Sequence, residues 1–240
     1  MRLLAIDSAT PVAGVAILED DKLLREAFAN LGKTHSETLL PLVDRVLREC
    51  NLTLPEMDGV AVTGGPGSFT GLRIGLALAK GLCLGAHLPL IAVSTLEVLA
   101  ANLPFNTAVI CPLLDARKQE VYAGFFTTAT GEPVALAEPG AFSPQEFVEK
   151  ARQLSREQGK EKLMLLGDGV LPYRDFFADE LGEQMNLASP HLMLPRASAL
   201  ASLAVRKMAA GELADVVNLH PQYIRLSEAE YRLGKGATEC

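Results

Sequence analysis

A chain of 240 residues that is 49% hydrophobic and 21% charged carries enough apolar side chain for one large globular core or two smaller ones. Its formal charge of −7, the lack of any long basic run and the absence of tryptophan argue against a chain that is itself the main nucleic-acid binder. Phosphate contacts need clustered lysine and arginine, and bases need aromatic platforms to stack on.

The N-terminal apolar run stops at Asp7, too early for a signal peptide, and no uninterrupted apolar stretch approaches the ~20 residues of a membrane span. The cysteines (Cys50, Cys83, Cys111, Cys240) share no CxxC spacing and read as free thiols of a reducing compartment, which predicts a cytoplasmic location. In chain order, LLAID, VAGVAIL and KLLREAFA are three short strands, with turns at Ser8–Pro11 and Glu19–Asp21. A helix follows: Thr34 or Ser36 can cap it, Thr34 and Glu37 have capping-box spacing, and Pro41 should kink its first turns. Its apolar residues span an arc of about 160°, wider than one core-facing stripe needs.

GVAVT is a buried strand leading into the glycine loop GGPGSFTGLRIG, residues 64–75. From Gly71 to His87 almost every position is apolar or small, apart from Arg73 and Lys80. A helix apolar nearly all round must be covered on more than one side. It is either the central helix of its own domain or a helix shared with a partner chain. Gly75 and Gly81 each cost such a helix ~1 kcal/mol relative to alanine, so close packing should compensate. PLIAV is a further strand and STLE opens a helix with capping-box spacing between Ser94 and Glu97. A domain boundary is expected at 102–106, dividing 1–103 from 104–225, with a loose tail at 226–240. Beyond the boundary the pattern restarts with TAVICPLLD, a turn at 116–118 and EVYAGFFTT. Next come a helix capped by Ser143 and Glu146, the strand KLMLLGDG, and a helix over 198–210 ended by Gly211, which can pack back on the first domain.

The glycine loop fits no complete nucleotide or nucleophile template. No lysine completes a Walker loop, Thr70 stands where a dinucleotide fingerprint needs its third glycine, and Pro66 and Thr70 flank Ser68 where an elbow needs glycines. Geometry leaves an anion-site reading, with Gly67, Ser68, Thr70, Gly71 and Asp7 as candidates. Beside it stands the reading in which the glycines serve only tight turns and close helix packing. Asp7, at a strand end, either faces a cleft or bonds the amides of the following turn. The histidines (His35, His87, His191, His220) form no metal-binding pair, and Glu97 reads as a helix-start residue rather than a general base.

LLAIDSATPVAGVAIL, THSETLLPLVDRVL, GGPGSFTGLRIGLALAKGL, PLIAVSTLEVLA, LLDARKQEVYAGFF and PQYIR together resemble the TsaB (YeaZ) family, from residue 3 to about 225. The resemblance implies an α/β chain of two subdomains with the fold shared by actin, sugar kinases and Hsp70 (ASKHA). It implies a cytosolic dimerisation subunit for tRNA threonylcarbamoyladenosine synthesis beside the anticodon. Its partners would be a TsaD-like catalytic subunit (as a heterodimer) and a TsaE-like ATPase. tRNA would be met mainly through the complex, and the chain would pair with itself when alone.

Three departures from the catalytic relative accompany it. Thr95 and Leu99 stand where that relative has two metal-binding histidines, the turn Asp7-Ser8-Ala9-Thr10 lacks its phosphate-motif glycine, and the adenosine-side cluster is reduced to Gly167-Asp168-Gly169. Imidazole ligation is impossible at either of the first two positions. The expectation is a non-catalytic scaffold with no metal and no cofactor of its own, nucleotide being possible only at a subunit junction. Docking would fall on the helices at 35–50 and 71–86, through Leu39, Val43, Val46, Leu47, Leu72, Leu76, Ala79, Leu82 and Cys83. The competing expectations are an ATP-dependent phosphotransferase using Asp7 and the Gly64–Gly71 loop, and a metalloprotease, which the missing histidine pair disfavours.

Overall fold

The alternation of side chains along each strand sends its residues to two faces, and in both halves of this protein both faces are covered. The computed structural model describes residues 1–30 and 32–224, so the expectation of a loose tail over 226–240 lies outside the described residues.

In the first half, β1 (Arg2–Asp7), β2 (Ala13–Glu19) and β3 (Lys22–Ala29) form an antiparallel meander. Helix α1 (His35–Glu49) crosses to β4 (Gly59–Gly65), parallel to β1, and α2 (Phe69–Ala86) crosses to β5 (Leu90–Ser94), parallel to β4. Helix α3 (Thr95–Ala100) leads into the second half: β6 (Val109–Arg117), β7 (Glu120–Thr127), β8 (Val134–Phe142), α4 (Pro144–Glu157), β9 (Leu163–Leu166), α5 (Arg174–Leu181), β10 (Met185–Leu187) and α6 (Ala197–Ala209). The sheets run β3-β2-β1-β4-β5 and β8-β7-β6-β9-β10, so the same topology is built twice. Two mixed sheets flanked by helices, each begun by a three-strand meander, make this the two-subdomain α/β fold of actin, sugar kinases and Hsp70.

On one face of the first sheet, Leu4, Ile6, Val15, Ile17, Val60 and Val62 pack under α1 and α2. On its other face Leu3, Ala5, Ala16, Ile91 and Val93 meet Leu200, Ala201 and Ala204 of α6, which returns from the far end of the chain. Glu26 of β3 anchors that return. Its carboxylate accepts from Arg196 (2.5 Å) and from the Ser198 amide (3.1 Å) at the start of α6. The second sheet buries Val109, Cys111, Val121 and Phe125 against Phe147 of α4 and Phe177 of α5. Its opposite face receives Leu96, Leu99 and Ala100, while Val98 joins the cluster of the first sheet, making α3 the layer common to both halves.

The capping boxes at Thr34/Glu37 and Ser143/Glu146 form, and α1 runs unbroken through Pro41. The box expected at Ser94/Glu97 does not form: Ser94 precedes α3 without a side-chain cap, and burial raises the Glu97 carboxyl pKa, with Lys207 opposing and Glu212 adding to that rise. Sequence reading missed β8, α5 and β10. β8 contains Pro139 and Gly140 and is an edge strand with a bulge, where proline is tolerated.

Candidate functional site

The first strand delivers Asp7 to the centre of the molecule, where its side chain is 0% exposed. Asp7 Oδ1 accepts from the Ala9 amide at 3.2 Å, while Oδ2 is buried with no partner among the described residues. Burial pushes the carboxyl up to about 6, against the opposing pull of the nearby Thr63 hydroxyl and the Ala9 and Ser8 amides. The expectation of turn amides bonded to Asp7 is met by Ala9, and no open cleft meets the carboxylate.

The glycine loop lies directly on that turn. The Ser68 amide donates to the Ala9 carbonyl at 2.7 Å, and a Cβ on Gly67 would strike the same carbonyl. Helix α2 begins two residues earlier than the sequence suggests, because Ser68 is its N-cap and its Oγ accepts from Gly71 N–H at 3.2 Å. A Cβ on Gly71 would overlap the Ser8 carbonyl, and one on Gly75 would overlap Ser8 Oγ.

Gly67, Ser68, Gly71 and Asp7 are therefore brought together, and Thr70 stands exposed at the margin. The reading in which the glycines serve close packing is supported: Gly67 and Gly71 sit against the Ala9 and Ser8 carbonyls, and Ser68 Oγ accepts from the Gly71 amide that an anion would use. His35, at the start of α1, closes the assembly. Its Nε2 lies 2.8 Å from the Thr10 carbonyl, which can only accept, so the ring proton sits on Nε2. Sequence reading passed His35 over as ordinary, since nothing in its spacing announces a contact with a turn 25 residues earlier.

The second half repeats this closure. Gly167 packs onto the Leu113 carbonyl and Gly169 onto the Leu114 backbone, while Asp168 accepts from the Asp115 amide at 3.2 Å. Burial raises the Asp168 carboxyl as well. Thr95 and Leu99 are both fully buried in α3.

The expected docking residues require correction. Leu39, Val43, Val46 and Leu47 of α1, and Leu72, Leu76, Ala79 and Cys83 of α2, lie in the chain's own core, and Leu82 is half-buried against it. The wide apolar arcs face the first sheet and each other, so these side chains are not exposed anchors. What remains outside is a different set. On α2, Ala77, Gly81, Leu84 and Gly85 are exposed, Leu84 at 58%, and on α1 Leu40 is 54% exposed. Among the described residues, nothing lies within 4 Å of a Cβ built on Gly81 or Gly85, so these glycines serve no packing there. By length and composition α2 could cross a membrane, yet it joins two parallel strands of one sheet and covers that sheet with its inner side.

The sequence matches the family described as TsaD, tRNA N6-adenosine threonylcarbamoyltransferase, over residues 28–233. It is 36% identical over 231 residues to the tRNA threonylcarbamoyladenosine biosynthesis protein TsaB of Bacillus subtilis, covering 96% of each chain. It is 32% identical to the Escherichia coli protein of the same name, covering 97% of this chain and 98% of the other. Among solved structures it is similar to a Pseudomonas aeruginosa protein described as similar to peptidase YeaZ. The TM-score there is 0.76 at 28% identity, over 93% of this chain and 99% of that one.

Proposed function

The chain belongs to the TsaB family, and on that premise we propose that it serves tRNA threonylcarbamoyladenosine modification as a non-catalytic docking subunit. One observation supports the non-catalytic part: the glycines of both loops that the resemblance assigns to phosphate and adenosine pack tightly onto the chain's own turns. Ser8–Ala9 lies against Gly67 and Gly71, and Leu113–Leu114 against Gly167 and Gly169. The docking part is supported by the exposed surface of α2, where Ala77, Gly81 and Leu84 present small and apolar groups, and nothing among the described residues lies within 4 Å of a Cβ on Gly81. Helix backbones approach closely where side chains are small, and an apolar face rimmed by polar groups is the usual mark of a protein interface. Leu40 of α1 adds a second exposed leucine.

In this reading the partner across the face is a TsaD-like catalytic subunit, a TsaE-like ATPase joins the assembly, and the face pairs with a second copy when no partner is present. Reconstituting the modification reaction with and without this chain tests the proposal. Omission should abolish modification. Leu84→Glu should keep the chain folded, since that side chain touches solvent, and should reduce co-purification with the catalytic subunit. Asp7→Asn should leave modification intact. Loss of modification by Asp7→Asn with assembly preserved would overturn the non-catalytic reading, as would ATP binding by the isolated chain in calorimetry. Normal co-purification of a folded Leu84→Glu variant would overturn the docking face.

A further inference from the structure

After α6 the chain does not leave the molecule. It pairs with the edge of the first sheet, where the Ala214 amide donates to the Leu90 carbonyl at 2.8 Å, and then runs along α2 as far as the glycine loop. There the Gln222 amide donates to the Gly64 carbonyl at 2.7 Å, and the Gln222 carbonyl would be 2.5 Å from a Cβ on Gly65. Between this segment and α2 lies an open groove of about 520 Å³. Leu76, Leu219 and Pro221 give it apolar walls, and Arg73, Lys80 and His220 line it with no carboxylate among them.

Two cations in this groove keep unused donors. Arg73 spends Nε on the Tyr223 hydroxyl (2.8 Å), with its guanidinium held 3.8 Å over the Phe69 ring. That leaves the terminal nitrogens of a fork pre-organised for a carboxylate. Lys80 donates one of its three N–H groups to the Val217 carbonyl at 2.9 Å. Neither cation makes an ion pair among the described residues. The nearest carboxylate influence on Lys80 is Asp215, whose oxygens already accept from the Val217 and Asn218 amides and the Asn218 side chain. In a chain of net charge −7, a groove with this lining is complementary to negative charge.

We propose that this groove docks an extended acidic segment of a protein partner. Seven residues of helix separate Arg73 from Lys80, which sets the cations about 10 Å apart along the axis. In an extended polyproline-II segment, with three residues per turn and ~3.1 Å rise, two carboxylates three residues apart share one side and span about 9 Å. The aliphatic walls suit the side chain between them. An RNA strand is the poorer occupant, because it needs free stacking surfaces, and the Tyr223 ring is stacked on Phe69 at 4.9 Å. The proposal does not rest on the docking role of Leu84, and its test uses no catalytic subunit.

The test is fluorescence anisotropy of the full chain with the labelled peptide GELPELG and its uncharged counterpart GQLPQLG. The acidic peptide should bind and the uncharged one should not. Arg73→Ala and Lys80→Ala, both at solvent-accessible side chains, should each weaken binding by about fivefold, the upper range for an accessible ion pair. Raising salt from about 50 to 500 mM should weaken it further. Equal binding of the two peptides, or binding that neither substitution changes in a folded variant, overturns the proposal. So does displacement of the peptide by inorganic phosphate or by tRNA at lower concentration than unlabelled peptide, which would make the groove a small-anion or RNA site. Binding seen only after removal of residues 226–240 would assign the groove to the chain's own C-terminal segment and would equally overturn it.

Discussion

Asp7 is the residue on which the sequence and the structure place different weights. Read from the sequence, a carboxylate at a strand end is a candidate for chemistry. In the fold it is a buried acid with one oxygen unpartnered, raised from 3.8 to about 6. A folded value above the unfolded one means stability that is fully present below 3.8 and is lost as pH rises through about 6. Asp7→Asn should therefore stabilise the protein at pH 8 by ~1–3 kcal/mol and by about half as much at pH 5. Thermal melts of both proteins across that range check the sign, and a constant gap would refute it. Glu26 is the opposite case. Burial pushes its carboxyl up, but the bonds from Arg196 and Ser198 prevail and hold it below its ordinary value. Its contribution is present at neutral pH and is lost on acidification below the usual glutamate range. Glu26→Gln should cost ~1–3 kcal/mol at pH 7 and should remove that acid-limb loss, read by denaturant titration at several pH values.

At the scale of the element, α2 shows how far periodicity reaches. Its apolar character all round was evident from the residues, and so was the need for cover on more than one side. Which side the chain covers itself was not, because a 3.6-residue repeat specifies a face but not its neighbour. The glycines separate the two sides. Gly71→Ala should cost ~2 kcal/mol or more, since the methyl meets the Ser8 carbonyl, a backbone atom with nowhere to move. Gly81→Ala meets nothing and should stabilise the isolated chain by ~1 kcal/mol through helix propensity. If the α2 surface docks a partner by close backbone approach, the same Gly81→Ala should weaken co-purification while raising the melting temperature, and the two readouts must move in opposite directions. Val46 and Leu76, chosen from the sequence as exposed anchors, are buried. A glutamate at either should prevent folding rather than dissociate a complex.

At the scale of the whole molecule, the two halves share a topology but are not independent. The first sheet has α1 and α2 on one face, while α6, delivered by the last part of the second half, covers the other. A fragment of residues 1–103 should thus expose Leu3, Ala5, Ala16 and Ile91 and should be soluble only as a molten or aggregated species. Adding residues 195–224 back as a peptide should restore a cooperative melt. Independent cooperative folding of the fragment would refute this coupling.

The sequence by itself determined the strand–helix order of the first half, the capping of α1 and α4, the free thiols of Cys50, Cys83 and Cys111, and the family resemblance. All of these depend on local spacing or on residue identities that can be read along the chain. Its failures were of two kinds. The short or proline-interrupted elements β8, α5 and β10 carry too little periodicity to be seen. The docking residues failed because they depend on what a side chain meets from distant parts of the chain. Only the tertiary structure could place Ser8 and Ala9 in the glycine loop, turn Leu39 and Leu76 inward, and leave Leu84 outside. Burial and occupancy are properties of contacts between segments far apart in sequence, and no local pattern encodes which of two apolar faces the rest of the chain will reach.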